Sequence, residues 1–167
     1  MVNAVAHILV PIILLDIYRN YIAKKKFPLF YVVLAGFGGI LPDIDVAVYW
    51  ILHTLFGTPL SEVHRTITHT LFIPLLLIII ALIAYKFSKK FAWGTLAITF
   101  GYLIHLPLDF VFIGTIMPFY PISIARYGLN LIPGTEIGST IVVGIDAILL
   151  TLWIIYDFSK HNIKDFI

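Results

Sequence analysis

The chain has 167 residues, no cysteine, a formal net charge of +2, 60% hydrophobic residues and only 12% charged ones. Soluble domains hold about 45–50% apolar and about 25% charged residues, so a mean hydropathy of +1.02 excludes a soluble domain. The missing cysteines exclude disulfides, thiolate ligands and thiol nucleophiles, and so small a net charge gives nucleic acid no purchase.

A membrane span needs about 20 mainly apolar residues. The first such stretch covers roughly 2–18, with its basic residues after the apolar run rather than before it, which predicts a retained helix and not a cleaved signal. The second starts at Phe27 and stays apolar to Gly57, interrupted by Pro42-Asp43-Ile44-Asp45. It reads either as a span ending near Asp45 with a second helix over 46–56 along the interface, or as one kinked helix. Further spans are expected at roughly 66–85, 91–113 and 137–157. The stretch 117–135, with Pro118, Pro121, Gly128, Pro133 and Gly134, reads as a loop. The expected architecture is therefore an all-α integral membrane protein of about five transmembrane helices, one domain over residues 1–167, multi-pass in the cell membrane. Gly94, Ala97 and Gly101 have the small-residue spacing that lets helix backbones approach, and Gly36, Gly38 and Gly39 add small residues to the second span.

Basic residues set the orientation. Arg19, Lys24, Lys25 and Lys26 follow the first span, Lys86, Lys89 and Lys90 the third, and Lys160 and Lys164 the last. Five spans put these groups on one side, the cytoplasmic one, with the N-terminus outside and the C-terminus inside.

Ionisable groups inside a membrane are costly and point to function. At about 1.5 Å per helical residue, His7, Asp43, Asp45, His64, His69, His105 and Asp109 all reach the outer half of the bilayer. Scattered helix-to-helix hydrogen bonds would not share one depth. His105 and Asp109 are four residues apart, so both face one side of a helix. Asp43 and Asp45 are two apart and need a break at Pro42 to aim at one point. Thr66 or Thr68 suits a helix cap or a ligand's hydrogen-bond partner. Asp146 lies mid-span in the last helix. Asp16 and Asp157 read as interfacial, His53 as a weaker ligand, His161 as a solvated tail residue and Glu136 as a helix-start carboxylate.

His7, Pro42-Asp43-Ile44-Asp45, His64-Arg65-x-x-Thr68-His69 and His105-x-x-x-Asp109 follow one another in an order that resembles the YbcI/YdjM-like membrane-bound metal-dependent hydrolases. The resemblance covers roughly residues 7–121. Thr66, Thr70 and Ile104 depart from that family's Gly, Ser and Ser, and the glycine that often follows the first His is missing. The resemblance implies metal-dependent hydrolysis without naming a substrate.

Imidazole and carboxylate donors suit Zn²⁺, with Mn²⁺ or Fe²⁺ less suited, and seven donors exceed one tetrahedral site, so one or two ions are expected. Asp45 is the expected general base. Arg65 has the planar fork that orients a phosphate, or it is a snorkelling interfacial arginine. Membrane lipids are the expected surroundings, and a lipid-borne ester or phosphoester is the expected substrate class. Two rival readings are a metal or proton transporter and a scaffold with a structural metal. The first is disfavoured because the inner half offers only Asp146, Asp16 and Asp157 and no inverted repeat is visible.

Overall fold

The computed structural model describes residues 4–112, 114–132 and 135–160. His161 and Lys164, and Pro133 and Gly134 of the expected loop, lie outside the described residues.

Helix α1 runs Ala4–Ile17 and continues through one π-helical turn, Tyr18–Ile22. Helix α2, Leu29–Ile40, passes through a 3₁₀ turn, Leu41–Asp43, straight into α3, Ile44–Phe56. The second apolar stretch is thus one helical run of 28 residues, long enough at about 42 Å to cross a bilayer and extend beyond it. The 3₁₀ turn has a local cause. Pro42 has no N–H to give to an α-helical bond, and Leu41 and Ile44 bond instead to Gly38 and Leu41 three residues back. Gly57 ends α3 in the left-handed region, at φ 69°, where a side chain would be strained.

A single turn, α4 (Leu60–Val63), leads into irregular chain over 64–71, and helix α5 covers Phe72–Ala84. This corrects the expected third span. Its apolar helix has 13 residues, about 20 Å, because residues 64–71 bend around buried polar groups instead of continuing the helix. Non-helical backbone at membrane depth is stable only where protein buries it, and His64, Thr66, His69 and Thr70 are buried here. Among the described residues, four helical runs are long and apolar enough to cross a membrane, with α5 as a shorter fifth apolar helix.

Helix α6, Lys89–Val111, is capped by Ser88, whose Oγ accepts from the Phe91 N–H at 3.3 Å. Its last carbonyls are satisfied by the following chain: Leu129, Leu131 and Ile132 donate their N–H groups to Phe110, Val111 and Phe112. Helix α7 is Glu136–Lys160. Thr135 caps it by accepting from the Gly138 N–H, and Glu136 stands in the first turn, where a carboxylate suits the helix dipole.

Helix α6 is the hub, packed on α2, α5 and α1. The close approaches rest on glycine. A methyl group on Gly38 would collide with the Ile98 carbonyl, on Gly101 with the Ala35 carbonyl, and on Gly39 with the His7 carbonyl. Helix α7 leans on α1 through a narrow stripe that includes Gly138, Val142 and Asp146. Helix α3 buries only Asp45 and exposes Trp50, Ile51, Leu55 and Phe56.

The basic connections share one end of the bundle. The turn after α1, the linker with Lys24 and Lys25, and the start of α6 line one groove, and Asn20 bonds the Tyr156 hydroxyl near the end of α7 at 3.2 Å.

Candidate metal centre

Toward the other end, four segments converge. Helix α1 contributes His7, the α2–α3 run Asp43 and Asp45, the irregular chain His64, Arg65, Thr68 and His69, and α6 His105 and Asp109. All seven residues expected to share one depth meet here, and every one except Asp43 is buried. Their donor atoms fall into two groups: His7, His105 and Asp109, and Asp43, His64 and His69. Within each group the atoms lie within 4.8 Å of one another.

The 3₁₀ turn aims both aspartates of the second span at one imidazole. Asp43 Oδ1 lies 3.6 Å from His69 Nε2, and Asp45 Oδ2 lies 3.4 Å from His69 Nδ1. Asp45 stands outside both donor groups. Its Oδ1 is 2.9 Å from His64 Nδ1, and its Oδ2 accepts from the Arg65 N–H at 3.0 Å and the Thr68 hydroxyl at 2.7 Å.

These contacts decide which nitrogen each histidine offers. A carbonyl oxygen only accepts, so His105 Nδ1, 2.6 Å from the Gly39 carbonyl, carries the proton. The same holds for His64 Nδ1 against the Asp45 carboxylate. The Thr68 hydroxyl spends its proton on Asp45, so at 3.0 Å it accepts from His69 Nδ1. Three imidazoles therefore donate outward through Nδ1 and turn Nε2 inward, the arrangement by which hydrogen-bond partners orient metal-ligating histidines. Inside, imidazole nitrogens and carboxylate oxygens crowd together. His69 Nε2 and His105 Nε2 face each other at 3.1 Å, His69 Nε2 also lies 3.2 Å from Asp109 Oδ2, and His64 Nε2 and His7 Nδ1 are buried without a hydrogen bond. His7 stacks on His105, ring centroids 3.9 Å apart, with its Nε2 3.4 Å from Asp109 Oδ1.

Charge points the same way. Three carboxylates, Asp43, Asp45 and Asp109, meet one fixed cation, Arg65, whose Nη2 lies 2.8 Å from Asp109 Oδ1. Buried like charges demand compensation. Imidazole nitrogens, surplus carboxylate and no thiolate form a donor set suited to a borderline divalent metal, so the residues fit one.

Arg65 holds φ 62°, a left-handed conformation that costs a non-glycine residue about 1 kcal/mol or more. That backbone turn brings its N–H to Asp45 and its side chain to Asp109. Its guanidinium passes over Gly114, where a methyl group would collide with it. Its side chain is 12% exposed, so it is no lipid-surface snorkel. Thr66 bonds the Val63 carbonyl rather than capping α5. His53 lies away from the cluster, its Nδ1 3.0 Å from the Thr58 carbonyl. Asp16 is buried and accepts from Asn20 at 2.9 Å, and Asp146 is buried on α7.

Sequence reasoning missed the Gly39 carbonyl and Tyr102. The Tyr102 hydroxyl donates to the Thr68 carbonyl and so pins the irregular chain onto α6. A signal for Tyr102 exists: it precedes His105 by three residues and shares its helix face.

Replacing Asp45 by Asn should keep the fold while lowering metal affinity by about 10–100-fold, the usual effect of losing an orienting carboxylate. Competition with a calibrated chelator on purified protein measures it.

Residues 1–163 match the sequence profile of the family described as YdjM inner membrane protein. The chain belongs to that family. It is a multi-pass membrane protein with a His/Asp cluster able to hold metal. Neither the curated proteins nor the solved structures include a match.

Proposed function

We propose that this family member is a membrane-embedded, metal-dependent hydrolase acting on a lipid-borne ester or phosphoester at the outer lipid–water boundary. The observation that supports it best is the inward-facing set of imidazole nitrogens and surplus carboxylate, one cluster drawn from four segments. One ion would sit among His7, His105 and Asp109, and a second among Asp43, His64 and His69. Zn²⁺ is the best match, then Mn²⁺ or Fe²⁺. A bound divalent ion supplies Lewis acidity and an activated water near neutral pH.

The chain's own residues do the rest. Asp45, read from sequence as ligand and general base, is better supported as the residue that orients His64 and His69, since both its oxygens are engaged. Thr68 relays that hold, and the Gly39 carbonyl fixes His105. Arg65 at the edge of the cluster binds the substrate anion. The basic end of the bundle is the cytoplasmic end, by the positive-inside rule, which puts the N-terminus and the site outside and the C-terminus inside.

The test is hydrolysis of phosphoester and carboxyl-ester lipids in mixed micelles by metal-loaded protein. Turnover should vanish on chelation and return with Zn²⁺ or Mn²⁺. Arg65→Lys should raise KM for a phosphoester while leaving metal content unchanged, because a point charge replaces a planar fork. Stoichiometric metal without turnover on any lipid ester sinks the hydrolase reading.

A further inference from the structure

At the basic end of the bundle, away from the metal centre, lies a cleft of about 650 Å³. Its walls come from the turn after α1, the linker to α2, the start of α2 and the first half of α6. Phe27, Tyr31, Trp93 and Phe100 make it apolar, and Lys24 and Lys25 stand in its rim. None of its lining residues is acidic. The nearby carboxylate of Asp16 is buried and bonded to Asn20, so it does not neutralise the lysines. Arg19 is also buried, and its Nε bonds the Phe27 carbonyl at 2.5 Å. The effect is to pin the linker that carries the lysines beside the cleft. The ammonium groups are exposed, and the aromatic wall is a partner for hydrocarbon.

We infer that this cleft is a binding site for an anionic phospholipid, with an acyl chain against Trp93 and Phe100 and the headgroup phosphate on Lys24 and Lys25. Charge complementarity selects this occupant. An apolar slot takes an acyl chain from any lipid, whereas two rim lysines with no acidic partner among the described residues favour a net negative headgroup over a zwitterionic one, each by about five-fold. Basic pockets between transmembrane helices hold anionic headgroups by the same physics. The site is independent of the proposed hydrolysis. It would hold a lipid that clamps the α1–α2 connection to α6.

Trp93 lines the cleft and reports on it. The chain has three tryptophans, so Trp50→Phe with Trp153→Phe leaves Trp93 alone. The full chain is reconstituted in phosphatidylcholine vesicles containing increasing dibrominated phosphatidylglycerol, or dibrominated phosphatidylcholine as the neutral probe, and Trp93 fluorescence is followed. Quenching should show about a 25-fold preference for the anionic lipid, falling to near parity in Lys24→Gln/Lys25→Gln, whose exposed substitutions leave the fold intact. Equal quenching by both lipids in the parent overturns the inference, as does a preference that survives the double substitution. Quenching by neither lipid means that protein, such as a second copy of the chain, covers the cleft, and overturns it too.

Discussion

His105→Ala and Asp109→Ala, each purified in detergent, should lose their bound metal. Each removes a donor atom, so affinity should fall by more than the roughly 10–100-fold that follows loss of an orienting partner. Elemental analysis reads the result directly: near-stoichiometric Zn or Mn in the parent and background in both variants. Thermal unfolding gives a second reading. A ligand present at 100 times its Kd stabilises the folded state by about 2.7 kcal/mol, so adding metal should raise the parent's melting temperature and leave the variants' unmoved. His105→Ala also frees the Gly39 carbonyl of its partner, and Asp109→Ala leaves Arg65 facing a less negative cluster. Both should therefore melt lower than the parent even without metal. Absence of metal from the parent after reconstitution with Zn²⁺ and Mn²⁺ would refute the metal centre and leave the histidines as hydrogen-bonded links between helices.

The second large effect comes from one methyl group. Gly39→Ala should destabilise the bundle by about 3 kcal/mol or more, at or above the upper end of overpacking costs, and should lower metal content as well. At Gly39 the obstacle is the His7 carbonyl, with Pro11 behind it. Backbone cannot rotate out of the way, so α1 must move off α2. That shift displaces His7 directly and His105 through the Gly39 carbonyl it bonds. A graded series makes the cause explicit. Gly36→Ala meets mainly the tip of the Ile12 side chain, which can adopt another rotamer, and Gly144→Ala meets nothing within 4 Å. The order of melting temperatures in detergent should be Gly144→Ala near the parent, Gly36→Ala lower and Gly39→Ala lowest. A Gly39→Ala protein as stable as Gly144→Ala would mean that α1 and α2 are not in close contact.

Much of this was legible in the sequence because hydrocarbon is an unforgiving solvent. Apolar runs locate helices with little ambiguity, and imidazoles and carboxylates stand out against them. Depth counted at a fixed rise per residue was enough to gather His7, Asp43, Asp45, His64, His69, His105 and Asp109 at one level. Pro42 pointed to the break that turns Asp43 and Asp45 to a common target. Two things were not legible. The third apolar stretch looked like a full span, because Ile67 and Leu71 continue its apolar pattern. What ends the helix at Phe72 is tertiary: residues 64–71 serve Asp45 and the cluster, and Tyr102 on another helix holds them there. The division of labour among the carboxylates was hidden too. Asp43 and Asp45 are the same residue type two positions apart, and only the hydrogen bonds from His64, Arg65 and Thr68 distinguish the one that orients from the one that faces inward.

The distances along the chain within the cluster have a consequence for biosynthesis. His7 Nε2 sits beside Asp109 Oδ1, 102 residues later. At roughly 5–20 residues per second, the first two spans emerge several seconds before Asp109 exists. During that interval His7, Asp43 and Asp45 must be tolerated at membrane depth with their partners still unmade, a costly state for ionisable side chains. Full insertion of the first two spans should therefore be coupled to arrival of α6. A nascent chain stalled before residue 109 should remain held at the insertion machinery or be degraded, rather than settle as a half-built bundle.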